Sequence, residues 1–284
     1  MKKSFERAQR RREEGHGYKH DLGQNFLYDD ALLEELVQST GVTKADSVLE
    51  IGPGSGMLTK HLCPHAGKVL AVEVDHDIIP FLKVNTAAFS NLEIVEGDIR
   101  KQNLRELCAP LGENFLVIAN IPYNITTPIF EVLWESGLSI RQISVMIQKE
   151  VAQRLCAAPG TGEYGAFSVL VQWYAEPKLL FDVPPHCFVP QPKVTSAVVR
   201  MDRRAAPPAS VDDEKLFFRT VRAAFAQRRK TLSNALRSAF SELDRAAIES
   251  ALEETGLPPA VRGETLSIAQ FAALSNALLR KFDK

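Results

Sequence analysis

The sequence has little cysteine and no long apolar run. Its four cysteines lie far apart and form no Cys-X-X-Cys pair, which argues against a zinc site and a disulfide framework. No apolar stretch approaches the roughly 18 residues that a membrane helix needs, and no apolar segment follows the charged N-terminus. We therefore expect a cytoplasmic globular protein without a metal.

The sequence also lacks an overall excess of positive or negative charge, since its formal net charge is -1. The basic residues are nevertheless clustered, with seven and no acidic residue between Lys215 and Phe240. The first twelve residues add six basic residues against a single glutamate. Such local excess is typical of a polyanion-binding surface, although a solvated helix face gives the same pattern.

Strand-length apolar runs alternate with amphipathic segments over the first two thirds of the chain. This alternation predicts a parallel sheet with helices on both faces. Asp29 or Asp30 is the expected cap of a first helix that ends at Gly41. The predicted strands cover residues 47–51, 69–74, 92–95, 116–119 and 143–147, with further strands at 167–173, 179–183 and 197–201. The predicted crossover helices include 57–62 and 78–84.

A stretch rich in proline and alanine, residues 203–210, indicates a linker. Beyond it, apolar residues recur at three- and four-residue spacing and predict about four helices. We therefore predict an α/β domain over residues 1–204, with a basic arm at 1–17, and an all-helical domain over residues 205–284.

Three glycines, Gly52, Gly54 and Gly56, lie between a predicted strand and a predicted helix. Glycine there permits a tight turn and a close approach of the backbone to a nucleotide. A dinucleotide fingerprint would need glycine where Met57 stands. The spacing therefore favours S-adenosylmethionine, which has no pyrophosphate, over NAD, and a plain tight turn remains an alternative.

Two acidic residues follow the next strands. Glu73 ends the second predicted strand, where a carboxylate can accept both ribose hydroxyls. Asp98 follows the third strand, where it can accept from an adenine amine. Because open sheets bind ligands at the carboxyl ends of their strands, the pair favours a cofactor site over solvated strand ends.

The fourth strand ends in the sequence Asn120-Ile121-Pro122-Tyr123. An aryl amine is a poor nucleophile because its lone pair is delocalised into the ring. The Asn120 side-chain oxygen and the Ile121 carbonyl can each accept a hydrogen bond from such an amine and favour a pyramidal nitrogen. Pro122 stiffens the turn, and Tyr123 offers a stacking face. The residues alone thus indicate an adenine or amide-nitrogen methyltransferase, with an ordinary strand-end turn as the alternative.

A proline-rich segment, residues 181–196, contains Phe188, a candidate second platform for a base that has left its stack. A buried anchor for the segment is the alternative role of Phe188. His186 is interpreted as structural.

Together these motifs resemble one family, the ribosomal RNA adenine N6-dimethyltransferases, and within it the bacterial small-subunit members associated with kasugamycin sensitivity. The matching sequences are HDLGQNFL (20–27), EIGPGSG, EVD, GDI, NIPYNITTPI, VPPHCFVPQPKVTSAVV and FAQRRKTLSNAL. They cover most of residues 18–238.

The resemblance implies a Rossmann-like methyltransferase domain, a helical C-terminal domain and S-adenosylmethionine as methyl donor. It implies dimethylation of two adjacent adenines in a hairpin near the 3' end of small-subunit RNA, during ribosome assembly. We expect a monomer. Tyr123 and Phe188 match the base-holding aromatics. The expected cofactor contacts are Asn25, Leu27, Gly52, Gly54, Glu73, Asp98, Ile99 and Asn120, and the expected RNA contacts are Arg222, Arg228, Arg229 and Lys230.

Three other functions compete with this interpretation. A large-subunit RNA dimethylase resembles the catalytic half, but Gln227 to Lys230 favour the small-subunit type. A non-catalytic ribosome-assembly factor would not need Asn120, Glu73 and Asp98. An NAD-dependent oxidoreductase conflicts with Met57 and lacks a recognisable catalytic acid.

Overall fold

The computed structural model describes residues 26–122, 125–258 and 260–282. Its strands are β1 (Phe26–Leu27), β2 (Ser47–Ile51), β3 (Lys68–Glu73), β4 (Leu92–Glu96), β5 (Phe115–Asn120), β6 (Ile140–Gln148), β7 (Ala175–Val183), β8 (Phe188–Val189) and β9 (Ser196–Arg203). Its helices are α1 (Asp30–Thr40), α2 (Met57–Leu62), α3 (Ile79–Thr86), α4 (Leu104–Cys108), α5 (Thr126–Glu135), α6 (Lys149–Cys156), α7 (Ala166–Tyr174), α8 (Glu214–Ala226), α9 (Leu232–Ala239), α10 (Arg245–Glu254) and α11 (Ile268–Phe282).

Seven strands form one mixed sheet in the order β4-β3-β2-β5-β6-β9-β7. Strands β2 to β6 are parallel, and β9 pairs antiparallel with β6. The inner strands β2 and β5 are almost entirely buried, as expected for continuous apolar runs covered on both faces. The predicted α/β fold is confirmed.

The chain order reverses at β2, since β3 and β4 lie on one side of it and β5 and β6 on the other. A crevice opens at such a switch point, outside the carboxyl ends of the strands. The residues after β2 and β5 therefore border the crevice, and those after β3 lie beside it.

Helix α1 begins where predicted, because the Asp29 side chain accepts hydrogen bonds from the amides of Ala31 and Leu32. It ends at Gly41 in a left-handed conformation. Its buried face includes Leu33, Leu36 and Val37, which pack under the sheet with strand residues such as Val48.

The prediction of a strand at residues 167–173 is wrong, because this segment lies within helix α7. The Ser168 hydroxyl accepts a hydrogen bond from the Gly165 amide at 3.0 Å, which caps the helix. The Trp173 ring packs against Phe217 with ring centroids 4.3 Å apart. A short apolar run of β-branched and aromatic residues does not distinguish a strand from a buried helix, and here the cap and the packing decide.

The chain divides into two compact units. One comprises residues up to Ala152 and Glu176–Arg203, and the other comprises Gln153–Ala175 and Arg204–Lys284. The break after Arg203 lies beside the predicted linker, whereas residues 153–175 pack with the C-terminal helices. In the described part of residues 205–284 there are four α-helices, around a core that includes Phe217, Phe240 and Phe271.

Among the described residues, no helix is both long enough and apolar enough to cross a bilayer.

Candidate cofactor and substrate site

A cavity of about 290 Å³ lies at the carboxyl ends of the central strands. Its size is near the lower end of the range for small-molecule sites, and its lining is mainly apolar, with a few polar groups. We expected certain residues to hold the cofactor or the reacting amine, and nearly all of those that the structure describes line this one cavity. They are Leu27, Gly52, Gly54, Glu73, Asp98, Ile99, Asn120, Ile121 and Pro122.

The glycine loop after β2 approaches its surroundings too closely for a side chain. Gly52, Gly54 and Gly56 all have positive φ angles, of 67°, 56° and 85°. A Cβ atom on Gly54 would lie 2.7 Å from Cε1 of Phe26, well inside van der Waals contact. A side chain at position 54 would therefore displace the Phe26 ring, which packs against the loop.

The Glu73 carboxylate is fixed by two backbone amides. Gly54 N donates to Oε2 and Asp75 N donates to Oε1, each at 2.8 Å. Burial raises the pKa of Glu73, against the opposing effect of these hydrogen bonds. Each carboxylate oxygen retains acceptor capacity, so the pair of oxygens suits a pair of neighbouring hydroxyls such as those of a ribose.

Asp98 caps the 3₁₀ turn Ile99–Lys101 and forms an ion pair with Arg100 across that turn. Hydrogen bonds from the Arg100 guanidinium hold the pKa of Asp98 below its ordinary value, against the opposing effect of partial burial. Asp98 is therefore a charged acceptor in the lining of the cavity. Sequence reasoning did not anticipate that Arg100 also lines this cavity.

The turn after β5 is held in place by the sheet. Asn120 is half-buried at the end of the strand, and the Ile121 amide donates to the Met146 carbonyl at 3.1 Å. The Pro122 carbonyl accepts from Ile125 N at 3.2 Å and so leads into helix α5. Asn120 thus ends a strand that is paired with β6, and the Ile121 carbonyl follows it directly, as a positioning role requires. Tyr123, like Asn25, lies outside the described residues.

Phe188 lies in a different environment from the one expected of a stacking platform. Only 2% of it is exposed, and it packs with Leu27 and Leu33 in the core of the first unit. Its strand β8 pairs antiparallel with β1, and Tyr28 N donates to the Cys187 carbonyl at 3.2 Å. Phe188 does not line the cavity in this structure. Its role as a platform stays a prediction, and the packing agrees with an anchoring role.

Glu50 is a site residue that sequence reasoning missed. It lies on β2 just before the glycine loop, lines the cavity and is only 1% exposed. Burial raises the pKa of Glu50 to about 8. Its Oε2 atom has no hydrogen-bond partner among the described residues. The signal in the sequence was an acidic residue between the apolar residues Leu49 and Ile51 of the strand.

The basic residues of the second unit differ in their contacts. The Arg228 guanidinium donates to the carbonyls of Gly162 at 2.7 Å and Tyr164 at 3.2 Å. It therefore ties two segments of the unit together. Arg222, Arg229 and Lys230 are exposed, and their side chains make no hydrogen bond or ion pair with the described residues. These three side chains are therefore available to a polyanion.

The residues around the cavity fit S-adenosylmethionine. Gly54 leaves room for the Phe26 ring, which lines the same cavity, and two carboxylates suit the ribose and the adenine amine. The buried Oε2 of Glu50 has no partner among the described residues and can pair with a polar group of the ligand. Among the described residues, no group of three or more acidic, histidine or cysteine side chains is arranged to hold a metal ion.

The fold and this site define an S-adenosylmethionine-dependent methyltransferase. The family model described as "Ribosomal RNA adenine dimethylase" matches residues 15–279. The chain belongs to the ribosomal RNA adenine dimethylase family.

Individual relatives agree with this assignment. A protein of Alkaliphilus oremlandii named ribosomal RNA small subunit methyltransferase A is 43% identical over 266 residues, which cover 93% of each chain. Its namesake of Geobacillus thermodenitrificans is 44% identical over 276 residues, covering 94% of this chain and 93% of the relative.

Among solved structures, a 23S ribosomal RNA methyltransferase has a TM-score of 0.67 at 26% identity, covering 89% of this chain and 99% of the other. A dimethyladenosine transferase from Plasmodium falciparum shares the fold, with a TM-score of 0.72 at 24% identity, and the match covers 88% of this chain and 95% of the other.

Proposed function

We propose that the protein dimethylates N6 of two adjacent adenines in a hairpin near the 3' end of small-subunit ribosomal RNA. The product is N6,N6-dimethyladenosine, formed in the cytoplasm during assembly of the subunit by a monomeric enzyme. One observation carries the proposal: Asn120, Ile121 and Pro122 border the same cavity as Glu73 and Asp98. Relatives that span more than nine tenths of the chain and carry the small-subunit name support the choice of RNA.

S-adenosylmethionine supplies an electrophilic methyl group when it is bound. Glu73 would hold the ribose hydroxyls, and Asp98 would hold the amine of the cofactor's adenine. The Ile99 backbone and the residues of the glycine loop would border the same ligand, and Leu27 and Asn25 would contribute from the N-terminal motif. Gly54 would leave Phe26 in place at the edge of this ligand, because a side chain there would meet the Phe26 ring.

Asn120 and the Ile121 carbonyl orient the reacting amine of the RNA. Each accepts one of its two hydrogens, so that the nitrogen lone pair points towards the methyl donor. Asn120 carries no charge and therefore acts by positioning and polarisation rather than as a base. The amine loses a proton after each transfer, and water can accept it.

The second transfer imposes a condition on the pocket. After the first methyl group is in place, the amine keeps one hydrogen and one of the two hydrogen bonds is lost. The space around N6 must then admit a methyl group, so the pocket is expected to be slightly loose there. Tyr123, and Phe188 if it moves out of the core, would hold the base by stacking.

RNA outside the target adenines is bound by the helical C-terminal domain. Arg222, Arg229 and Lys230 are exposed cations of the second unit and suit contacts to phosphates. Arg228 belongs to the same set in the sequence, but its bonds to Gly162 and Tyr164 give it a structural part as well.

A large-subunit target is the second candidate, favoured by the likeness to the solved 23S ribosomal RNA methyltransferase. The test is transfer of labelled methyl groups from S-adenosylmethionine to undermodified small subunits, with large subunits in parallel and digestion to nucleosides. Labelled N6,N6-dimethyladenosine from the small subunit is expected. Label confined to the large subunit would replace the proposal with the second candidate, and no label in either would point to a non-catalytic assembly factor.

A further inference from the structure

Arg100 encloses the Asp98 carboxylate from one side. Its Nε donates to Oδ1 at 2.9 Å and its Nη2 donates to Oδ2 at 2.7 Å, so the pair is bidentate. The Arg100 backbone amide also donates to Oδ1, at 3.0 Å. Both residues line the cavity, and their side chains are 14% exposed for Asp98 and 37% for Arg100.

These three hydrogen bonds leave Asp98 little acceptor capacity. An ionised carboxylate has about four lone-pair positions, two on each oxygen. Oδ1 uses both of its positions, for the amide and for Nε of Arg100. Oδ2 uses one of its positions, for Nη2. A single acceptor position on Oδ2 therefore remains for a ligand in the cavity.

The charges around Asp98 keep it ionised and unable to act as a donor. Arg100 and Lys101, on the same turn, both lower the pKa of Asp98. Glu73 on β3 and Glu50 on β2 line the same cavity, and burial raises the pKa of each. Among the described residues, Arg100 is the cation in direct contact with Asp98, so its removal is expected to have the largest effect on the charge of that carboxylate.

We propose that Arg100 is a positioning residue that fixes Asp98 as a single directed acceptor, and thereby makes the cofactor subsite select a base with an exocyclic amine. The inference rests on the proposed role of Asp98 toward the cofactor's adenine. A hypoxanthine base carries an oxygen where adenine carries the amine. That oxygen would face the remaining lone pair of a carboxylate that can neither rotate nor take up a proton easily. A site of this kind rejects an analogue that leaves the buried acceptor of the protein without a hydrogen-bond donor.

The experiment is calorimetric binding of two cofactor products, S-adenosylhomocysteine and its hypoxanthine counterpart S-inosylhomocysteine. The wild-type chain is expected to prefer the adenine compound by at least about thirtyfold. Arg100→Leu keeps much of the side-chain volume but lets the carboxylate rotate, and this preference should fall at least about fivefold. Arg100→Lys retains a positive charge but loses the two parallel donors of the guanidinium. Its preference for the adenine compound should lie between those of the wild type and Arg100→Leu.

Arg105→Leu is the matched control, because Arg105 is an exposed arginine on α4 that does not line the cavity. It should keep the wild-type preference. If Arg100→Leu also keeps it, the proposal is overturned. A purely structural effect of Arg100 would weaken both compounds alike, which would likewise overturn it.

The pH dependence gives a second readout. Since Arg100 lowers the pKa of Asp98, binding of S-adenosylhomocysteine should be lost on acidification at a higher pH in Arg100→Leu than in the wild type. Carbon NMR of the Asp98 carboxyl in the unliganded protein should show the same shift of its pKa. An unchanged midpoint contradicts the inference alone. A wild-type protein that binds neither compound would instead contradict the proposed function.

Discussion

The two compact units present their predicted functional residues in different ways. In the first unit, residues from β1 to β5 that are far apart in sequence line one cavity and are fixed by backbone contacts, as Glu73 is by Gly54 and Asp75. In the second unit, Arg222, Arg229 and Lys230 lie exposed on the surface without such contacts. In the first unit the positions of the site residues are fixed by the fold, whereas the second unit presents exposed positive charges on its surface.

This difference explains what each unit can recognise. A buried site with few, directed acceptors discriminates between ligands by the hydrogen bonds that it leaves unpaired. Exposed cations contribute mainly salt-dependent attraction to phosphates and fix the position of an RNA without reading its bases. We therefore expect substitutions in the first unit to act on chemistry and on cofactor affinity, and those in the second to act on RNA affinity.

The largest effect is expected from Asn120→Ala, which removes a proposed acceptor for the reacting amine. Methyl transfer should fall by about 10²–10³-fold, by analogy with the loss of one positioned hydrogen-bonding group in other enzymes. The thermal midpoint should stay near that of the wild type. The control is Asn103→Ala, at an exposed asparagine that forms no side-chain cap. Single-turnover transfer to undermodified small subunits measures the effect, and near-normal turnover would remove Asn120 from the mechanism.

The next effect concerns the glycine loop. Gly54→Ala combines a positive φ of 56° with a Cβ atom 2.7 Å from the Phe26 ring. We expect the dissociation constant for S-adenosylhomocysteine to rise at least about tenfold, because the loop must shift. Gly41→Ala has a similar φ of 69° but no contact closer than 3.9 Å, so it tests the strain without the clash. Equal affinities for the two variants would show that the close approach at Gly54 is unimportant.

A smaller effect follows from the burial of Glu50. Burial raises its pKa from 4.5 to about 8, so between these values the folded chain holds a proton that the unfolded chain has lost. The free energy of unfolding should therefore fall as the pH rises through this window, by up to about 1.4 kcal/mol per pH unit, and level off above it.

Glu50→Gln removes this contribution, so the stability of the variant should fall less steeply than that of the wild type. Urea unfolding at pH 5.5, 6.5 and 7.5 measures the difference. Glu113→Gln, at an exposed glutamate, is the control and should follow the wild type. If the free energy of unfolding depends on pH in the same way in Glu50→Gln and in the wild type, Glu50 is ionised in the folded chain.

The smallest effect is expected in the second unit. Neutralising Arg229 and Lys230 to glutamine should weaken RNA binding by about three- to tenfold at moderate salt and reduce the salt slope by about one per lost phosphate contact. Arg228→Gln should instead lower the thermal midpoint, because Arg228 bonds two carbonyls. Lys83→Gln with Arg105→Gln, in the first unit, controls for the loss of two charges. An unchanged slope would leave Arg229 and Lys230 as solvated surface.

The location of the site in the first unit could be predicted from the sequence, but the contacts between its side chains could not. Motifs at strand ends are informative because parallel strands bring their carboxyl ends to one edge, and this placed Gly52, Glu73, Asp98 and Asn120 together. The partner of Asp98 was not predicted. The i to i+2 ion pair with Arg100 depends on the 3₁₀ turn between them, and no periodic pattern signals such a turn.

Burial and packing between distant segments were harder to predict. The sequence offered Phe188 as an aromatic platform, and the structure packs it against Leu27 through the pairing of β1 with β8. Residues 167–173 read as a strand because their side chains are apolar and β-branched, and the contact of Trp173 with Phe217 fixes them as a helix. Charge alone did not separate Arg228, which holds backbone carbonyls, from Arg229.

We infer that the first unit holds the cofactor by Glu73 and Asp98 in the cavity after the glycine loop. A crystal structure of the chain with S-adenosylhomocysteine is the sharpest test of this inference. We expect the ribose hydroxyls on Glu73, the adenine amine on the Oδ2 atom of Asp98, and the homocysteine sulfur facing Asn120. A ligand bound elsewhere, or one in the cavity that contacts neither carboxylate, would contradict it.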